Sequence, residues 1–243
     1  MKWGFFGPVH MATLVLAVLL NVGIYFALKK ASRKVQTWVL GVLSFSGIAA
    51  VIFNLVTWGS PWEYLPLHLC SLNAMVLPFA VFTRSKVLGN LLLVWSLGAL
   101  AAIVVNNAQA DFEVFSPTFC FYYFPHVLEF GIPILLFKLG LVKKDVKCIG
   151  STMGITVVAY TLVHLANLAL NGMDLVDANG ADIVVNYMYS LTPENPVMQL
   201  CYNILPVPYW YMYLIFPIVG VYLLGVYAPQ LLEILKKKKK TTA

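Results

Sequence analysis

Apolar runs about twenty residues long recur along almost the whole of this chain. A helix rises about 1.5 Å per residue, so each run is long enough to cross the hydrocarbon of a bilayer. Hydrocarbon offers a backbone amide no water, so a segment at that depth must be helical or part of a closed barrel. The runs are continuously apolar instead of alternating, which selects helices. Composition agrees: 60% of the 243 residues are hydrophobic and 11% charged, where a soluble domain carries about a quarter. The sequence therefore reads as an all-α, polytopic membrane protein.

Seven spans are expected. They cover roughly Val9–Leu28, Gln36–Thr57, Tyr64–Thr83, Val87–Asn106, Phe119–Leu139, Cys148–Asn171 and Tyr209–Ala228. The connections sort by charge. Lys29, Lys30, Arg33 and Lys34 follow span one, and Arg84 and Lys86 follow span three. Lys138, Lys143, Lys144 and Lys147 follow span five, and Lys236 to Lys240 follow span seven. The alternate connections hold Glu63, then Asp111 and Glu113, then Asp174, Asp177, Asp182 and Glu194. Of sixteen Lys and Arg, only Lys2 falls on the second side. The positive-inside rule makes the basic side cytoplasmic, with the N-terminus outside and the C-terminus inside. The +6 charge is thus a topology signal, and no nucleic-acid partner is expected.

Residues 1–235 read as one helical-bundle domain and 236–243 as a basic cytoplasmic tail, an anchor for topology or a contact for anionic head groups. The first span is not a cleavable signal peptide, because its basic cluster follows the apolar run. The long connection Gly172–Pro208 is expected outside, folded back as a lid on the outer membrane surface. Tyr187, Tyr189, Tyr202, Tyr209, Trp210 and Tyr211 are expected at head-group depth.

With that topology, the polar residues inside the membrane share one layer. His68, Cys70 and Asn73 fall in the outer half of span three, and His126 and Glu129 in the outer half of span five. His164 and Asn167 approach the outer end of span six. His10, Asn54, Asn106, Asn107 and Gln109 reach the same level. Ionisable groups at such depth are costly and are functional candidates. Cys70 and Asn73, His126 and Glu129, and His164 and Asn167 are each three apart, on shared helix faces.

Three readings fit the layer. In the first, Cys70 is a nucleophile activated by His126 or His164, with Glu129 behind the imidazole and Asn73 or Asn167 facing an oxyanion. In the second, His68, Cys70, His126 and His164 ligate a metal such as zinc, although no two of them lie three or four apart on one helix. In the third, the residues are structural or line a binding or transport cavity. Cys120 and Cys201 both approach the outer surface and could pair if geometry allowed. Cys148 reads as packing.

Leu65-Pro66-Leu67-His68-Leu69-Cys70-Ser71 entering a span, Thr83-Arg84-Ser85-Lys86 after it, and Phe124-Pro125-His126 entering a later span, which Pro125 is expected to open, resemble the YwaF-type integral membrane proteins of bacteria. Asn186-Tyr187-Met188-Tyr189, the proline-rich turn after it, Pro208-Tyr209-Trp210-Tyr211 and His10 are similar too, so the resemblance covers nearly the whole chain. That family is related to an animal transmembrane family whose members look like phospholipid acyltransferases using a cysteine in a His-x-Cys context. The resemblance implies Cys70 as an acyl-accepting nucleophile assisted by His68 or His126, in a multi-pass protein of a bacterial cell membrane. The expectation is then a monomeric acyltransferase opening toward the outer leaflet, with membrane lipids as partners and no cofactor. His126 would take the thiol proton, Glu129 would hold the imidazole, and Asn73, Asn167, His10, Asn107, Tyr187 and Trp210 would line the substrate site. The alternative is a binding or transport protein, or a metal site, using the same cavity without chemistry.

Overall fold

The computed structural model describes residues 1–58, 60–105, 107–177 and 179–241, with side chains for all of these but 107 and 238–241. Its helices are α1 (Pro8–Leu28), α2 (Arg33–Ser44), α3 (Ser46–Thr57), α4 (Leu69–Thr83), α5 (Lys86–Val104), α6 (Pro117–Lys138), α7 (Cys148–Asn171), α8 (Pro196–Ile204) and α9 (Ile215–Thr241). Among the described residues no strand forms, only the isolated bridges Lys2–Glu113 and Val176–Asp182. Among the described residues six segments are long and apolar enough to cross a membrane: α1, α2 with α3, α5, α6, α7, and Trp210–Lys237.

Helix starts follow local chemistry. Pro8, Pro117 and Pro196 open α1, α6 and α8, where a missing N–H costs nothing. The hydroxyls of Ser32, Ser85 and Ser116 cap α2, α5 and α6 by accepting from Val35, Leu88 and Phe119 N–H.

Two expected spans differ. The second is broken at Phe45, where the Ser44 hydroxyl donates back to the Gly41 carbonyl at 2.6 Å and the Phe45 N–H is shared between the Leu43 and Val42 carbonyls. Serine and glycine neighbours at a break are a recognised cause of such a kink. The third is helical over only 15 residues. Pro66 disfavours helical backbone at Leu65, and the helix begins after His68, whose backbone is extended (φ −74°, ψ 154°). Pro125 lies well inside α6 and does not open it.

The chain divides into two compact units, Met1–Lys143 and Lys144–Ala243. In the first, α6 packs against α1, α2, α3, α4 and α5. It is the hub, with 61% of its apolar window buried against 17% for α1. The N-terminal segment closes one end. Trp3 and Gly4 donate to the Phe112 and Ala110 carbonyls (2.8 Å each), and Lys2 pairs with Asp111 at 2.5 Å. Trp3 is fully buried, edge-on to Phe119, Tyr122 and Tyr123, and its indole N–H donates to Thr13 at 2.8 Å.

The second unit contains α7, the connection Gly172–Pro208, α8 and α9. α9 runs on past Ala228 into the lysine run, where Glu233 pairs with Lys237 at 2.7 Å.

Candidate functional site

In the first unit, Cys70 is the second residue of α4, half-buried in its first turn. N–H groups there have no intrahelical acceptor, and the His68 side chain does not cap them. The thiol lies within hydrogen-bonding reach of its own N–H and of the Ser71 N–H and hydroxyl. His68, half-buried, is the N-cap itself, and its carbonyl accepts from Leu72 at 2.9 Å.

His126 and Glu129 stand on α6. The His126 Nδ1 lies 2.6 Å from the Tyr122 carbonyl, which can only accept, so Nδ1 carries the proton. Nε2 of the neutral ring then keeps a lone pair, the form a general base needs. The expected imidazole holder was Glu129. The structure gives that task to the Tyr122 carbonyl one turn back, and the Glu129 carboxyl is hydrogen-bonded by Asn73. Glu129 is 3% exposed and close enough to both His126 and Cys70 to interact with their charges. Its Oε1 fits against Gly47 of α3, where an added Cβ would lie 2.3 Å from that oxygen.

Asn73, fully buried, donates to the Glu129 backbone carbonyl at 3.3 Å. The cause lies four residues on: Pro133 has no N–H, so this carbonyl lacks its normal helical donor. Asn73 supplies one from α4, and this work replaces the oxyanion role expected for its amide. Asn73 Oδ1 and Glu129 Oε2 are among the buried side-chain oxygens that find no donor among the described residues.

His10 is not a free ligand group. The Phe6 N–H donates to Nδ1 at 3.0 Å, so the ring proton is on Nε2, which donates to the Ile103 carbonyl at 2.8 Å. Both nitrogens are spent on backbone, and the ring lies fully buried against Trp3. The side chain of Asn107, and Asn106 altogether, lie outside the described residues. Gln109 accepts from the Tyr122 hydroxyl at 3.3 Å.

The second unit holds the other candidates, and there they fasten the connection to α7. Asn167 donates to the Tyr187 carbonyl (2.8 Å) and Ser190 hydroxyl (2.9 Å) and accepts from the Tyr187 N–H (3.0 Å). Ser190 Oγ lies 2.9 Å from His164 Nδ1, and the His164 ring stacks on Tyr209 with centroids 3.9 Å apart. Asn171 binds Val185 through both N–H and carbonyl, at 2.8 and 2.9 Å. These bonds hold Met188 and Tyr189 in left-handed backbone (φ 53° and 55°), a strained state for residues with side chains. Asn167 therefore has no amide proton to spare for an oxyanion. Tyr187 and Tyr211 are buried, whereas Trp210 is 59% exposed. At the tip of the connection, Asn179 and Ala181 N–H groups donate to Asp177 and hold its carboxyl below the ordinary range.

All four cysteines are free thiols in the structure. Among the described residues no three His, Cys, Asp or Glu side chains gather to hold a metal ion. Asn21 of α1 has no place in the expected layer. It donates to the Ala17 (3.0 Å) and Val127 (3.2 Å) carbonyls and lies directly against Gly131. The only hint in the sequence is an amide in the middle of an apolar run.

The family model of the TMEM164 family matches residues 5–227 of the chain. No curated protein and no solved structure matches it.

Proposed function

The chain belongs to the TMEM164 family, a transmembrane family, and on that premise we propose that it is a phospholipid acyltransferase working through a Cys70 thioester. We also propose seven crossings, the six long segments plus α4, with the N-terminus outside. The one-sided distribution of Lys and Arg supports that orientation, and the cell membrane of a bacterium is the proposed location.

The observation that carries the reading is the placement of Cys70 in an uncapped first turn of α4. N–H groups around the sulfur would stabilise negative charge on it and on an acyl oxyanion, the task the committed amides of Asn73 and Asn167 do not perform. His126, with its lone pair on Nε2, takes the thiol proton as sulfur attacks the ester carbonyl of a donor phospholipid. The C–O bond breaks, the lysophospholipid leaves with that proton, and an S–acyl bond remains. His126 then takes the proton of an acceptor lysophospholipid hydroxyl, whose oxygen attacks the thioester and returns the thiol. Asn73 Oδ1 and Glu129 Oε2, buried and without donors, are the acceptors such a hydroxyl would find. His68, the N-cap two residues before Cys70, is the alternative assistant to the thiol.

The test is acyl transfer from a fluorescent phospholipid to a lysophospholipid in proteoliposomes. Cys70→Ala should abolish transfer, and His126→Ala should slow it by about 10²–10⁴-fold. Transfer retained in Cys70→Ala sinks the proposal. The two donorless oxygens also favour a second reading, a ligand cavity without chemistry. That protein would tolerate Cys70→Ser and lose ligand with Glu129→Gln.

A further inference from the structure

Helix α8 connects to no charged residue of its own: Pro196–Ile204 contains no Asp, Glu, Lys or Arg. It is nine residues long, opened by Pro196 and capped by Asn195, whose side chain accepts from Met198 at 2.9 Å. At about 100° per residue, its side chains separate into three faces. Met198 and Cys201 are buried, at 4% and 2% exposed, and with Tyr202 edge-on to Tyr211 they seat the helix on the turn Trp210–Leu214. Val197, Leu200 and Ile204 lie within about 60° of one another and are 45%, 57% and 69% exposed. Gln199 and Asn203 are exposed on the remaining side, where the Gln199 amide donates to Asn203 at 3.0 Å. The apolar face is flanked by the seated face about 100° to one side and the polar face about 110° to the other.

A helix held at a water boundary alone would have one buried and one polar face. The third face needs an apolar medium at right angles to the bundle. The chain supplies one, because α8 lies between the end of α7 and the start of α9, both long enough to cross the membrane. We propose that α8 lies in the plane of the membrane at that leaflet, with Val197, Leu200 and Ile204 among the acyl chains and Gln199 and Asn203 in the head-group water. Its depth is that of an interfacial helix, about 5–10 Å into the boundary. With no basic residue on it, its seating depends on acyl chains and is indifferent to head-group charge. The exposed Val207 and Trp210 continue the apolar character toward the next span, and tryptophan is at home at this depth.

The test uses the full chain in phosphatidylcholine vesicles, with a photoreactive benzophenone amino acid placed singly at Leu200, Ile204, Gln199 or Asn203. All four positions are exposed, so substitution leaves the seated face intact. After illumination, intact mass should show phospholipid adducts several-fold more at 200 and 204 than at 199 and 203. Replacing a third of the lipid with phosphatidylglycerol should leave the ratio unchanged. Equal yields on both faces, absence of lipid adducts at 200 and 204, or a crosslinked dimer through those positions in place of lipid would overturn the proposal.

Discussion

Asn73→Leu in combination with Pro133→Ala tests whether the site is built on a proline-freed carbonyl. Asn73 donates to the Glu129 carbonyl at 3.3 Å because Pro133 cannot. Leucine at 73 fills similar volume and leaves that carbonyl without a donor in a dry interior, a cost of about 1–3 kcal/mol for a buried unsatisfied group. Interhelical hydrogen bonds in membranes average about 0.6 and reach about 1.7 kcal/mol, because the unfolded chain also finds partners. A net loss of about 1–2 kcal/mol is therefore expected for Asn73→Leu alone. In the Pro133→Ala background, residue 133 regains an N–H in register with the Glu129 carbonyl, so the same change should cost less. The part that stays is the lost contact to the Glu129 carboxyl. The four proteins are compared by reversible unfolding in mixed micelles, and a coupling energy of about 1 kcal/mol is expected. A coupling of zero would refute the proline argument whatever Pro133→Ala does by itself, because the cycle cancels single effects.

Two further outcomes follow from close packing and from the α7 fastening. Gly131→Ala would put a Cβ 1.6 Å from Asn21 Oδ1, forcing the amide off its carbonyl partners. A loss of about 1–3 kcal/mol is expected, with recovery of most of it in Asn21→Ala; no recovery would show that something other than this contact sets the size limit. Asn167→Ala removes three bonds to residues 187 and 190. Hydrogen exchange at 185–190 should accelerate by roughly the tenfold that follows from each 1.4 kcal/mol lost, and unchanged exchange would show that the strained turn holds without α7.

Where hydrophobicity is continuous, the fold was legible. The expected span Cys148–Asn171 coincides with α7, and Val9–Leu28 starts one residue after α1. The break at Phe45 was not legible, because averaging over twenty apolar residues hides one serine–glycine neighbourhood. Pro66 stood in view, but its effect depended on His68 adopting extended backbone. Depth alone grouped His10 with Cys70 and His126, and depth is real information about which groups avoid lipid. It does not reveal that both His10 nitrogens are consumed by Phe6 and by Ile103, ninety-three residues away. Prolines within helices offer a readable signal: Pro133 announces a carbonyl at 129 needing an outside donor. Which helix sends that donor is a matter of packing, and no periodicity within α4 identifies Asn73 as the answer. The same limit applies to Asn21, whose partners lie on its own helix and on α6.

The central claim is that Cys70 carries an acyl group, and intact mass after incubation with mixed phospholipids tests it most directly. The wild-type chain should acquire an acyl-sized adduct that hydroxylamine removes and that Cys70→Ala never acquires. A chain that shows no adduct while Cys70 still reacts freely with a thiol reagent would contradict it.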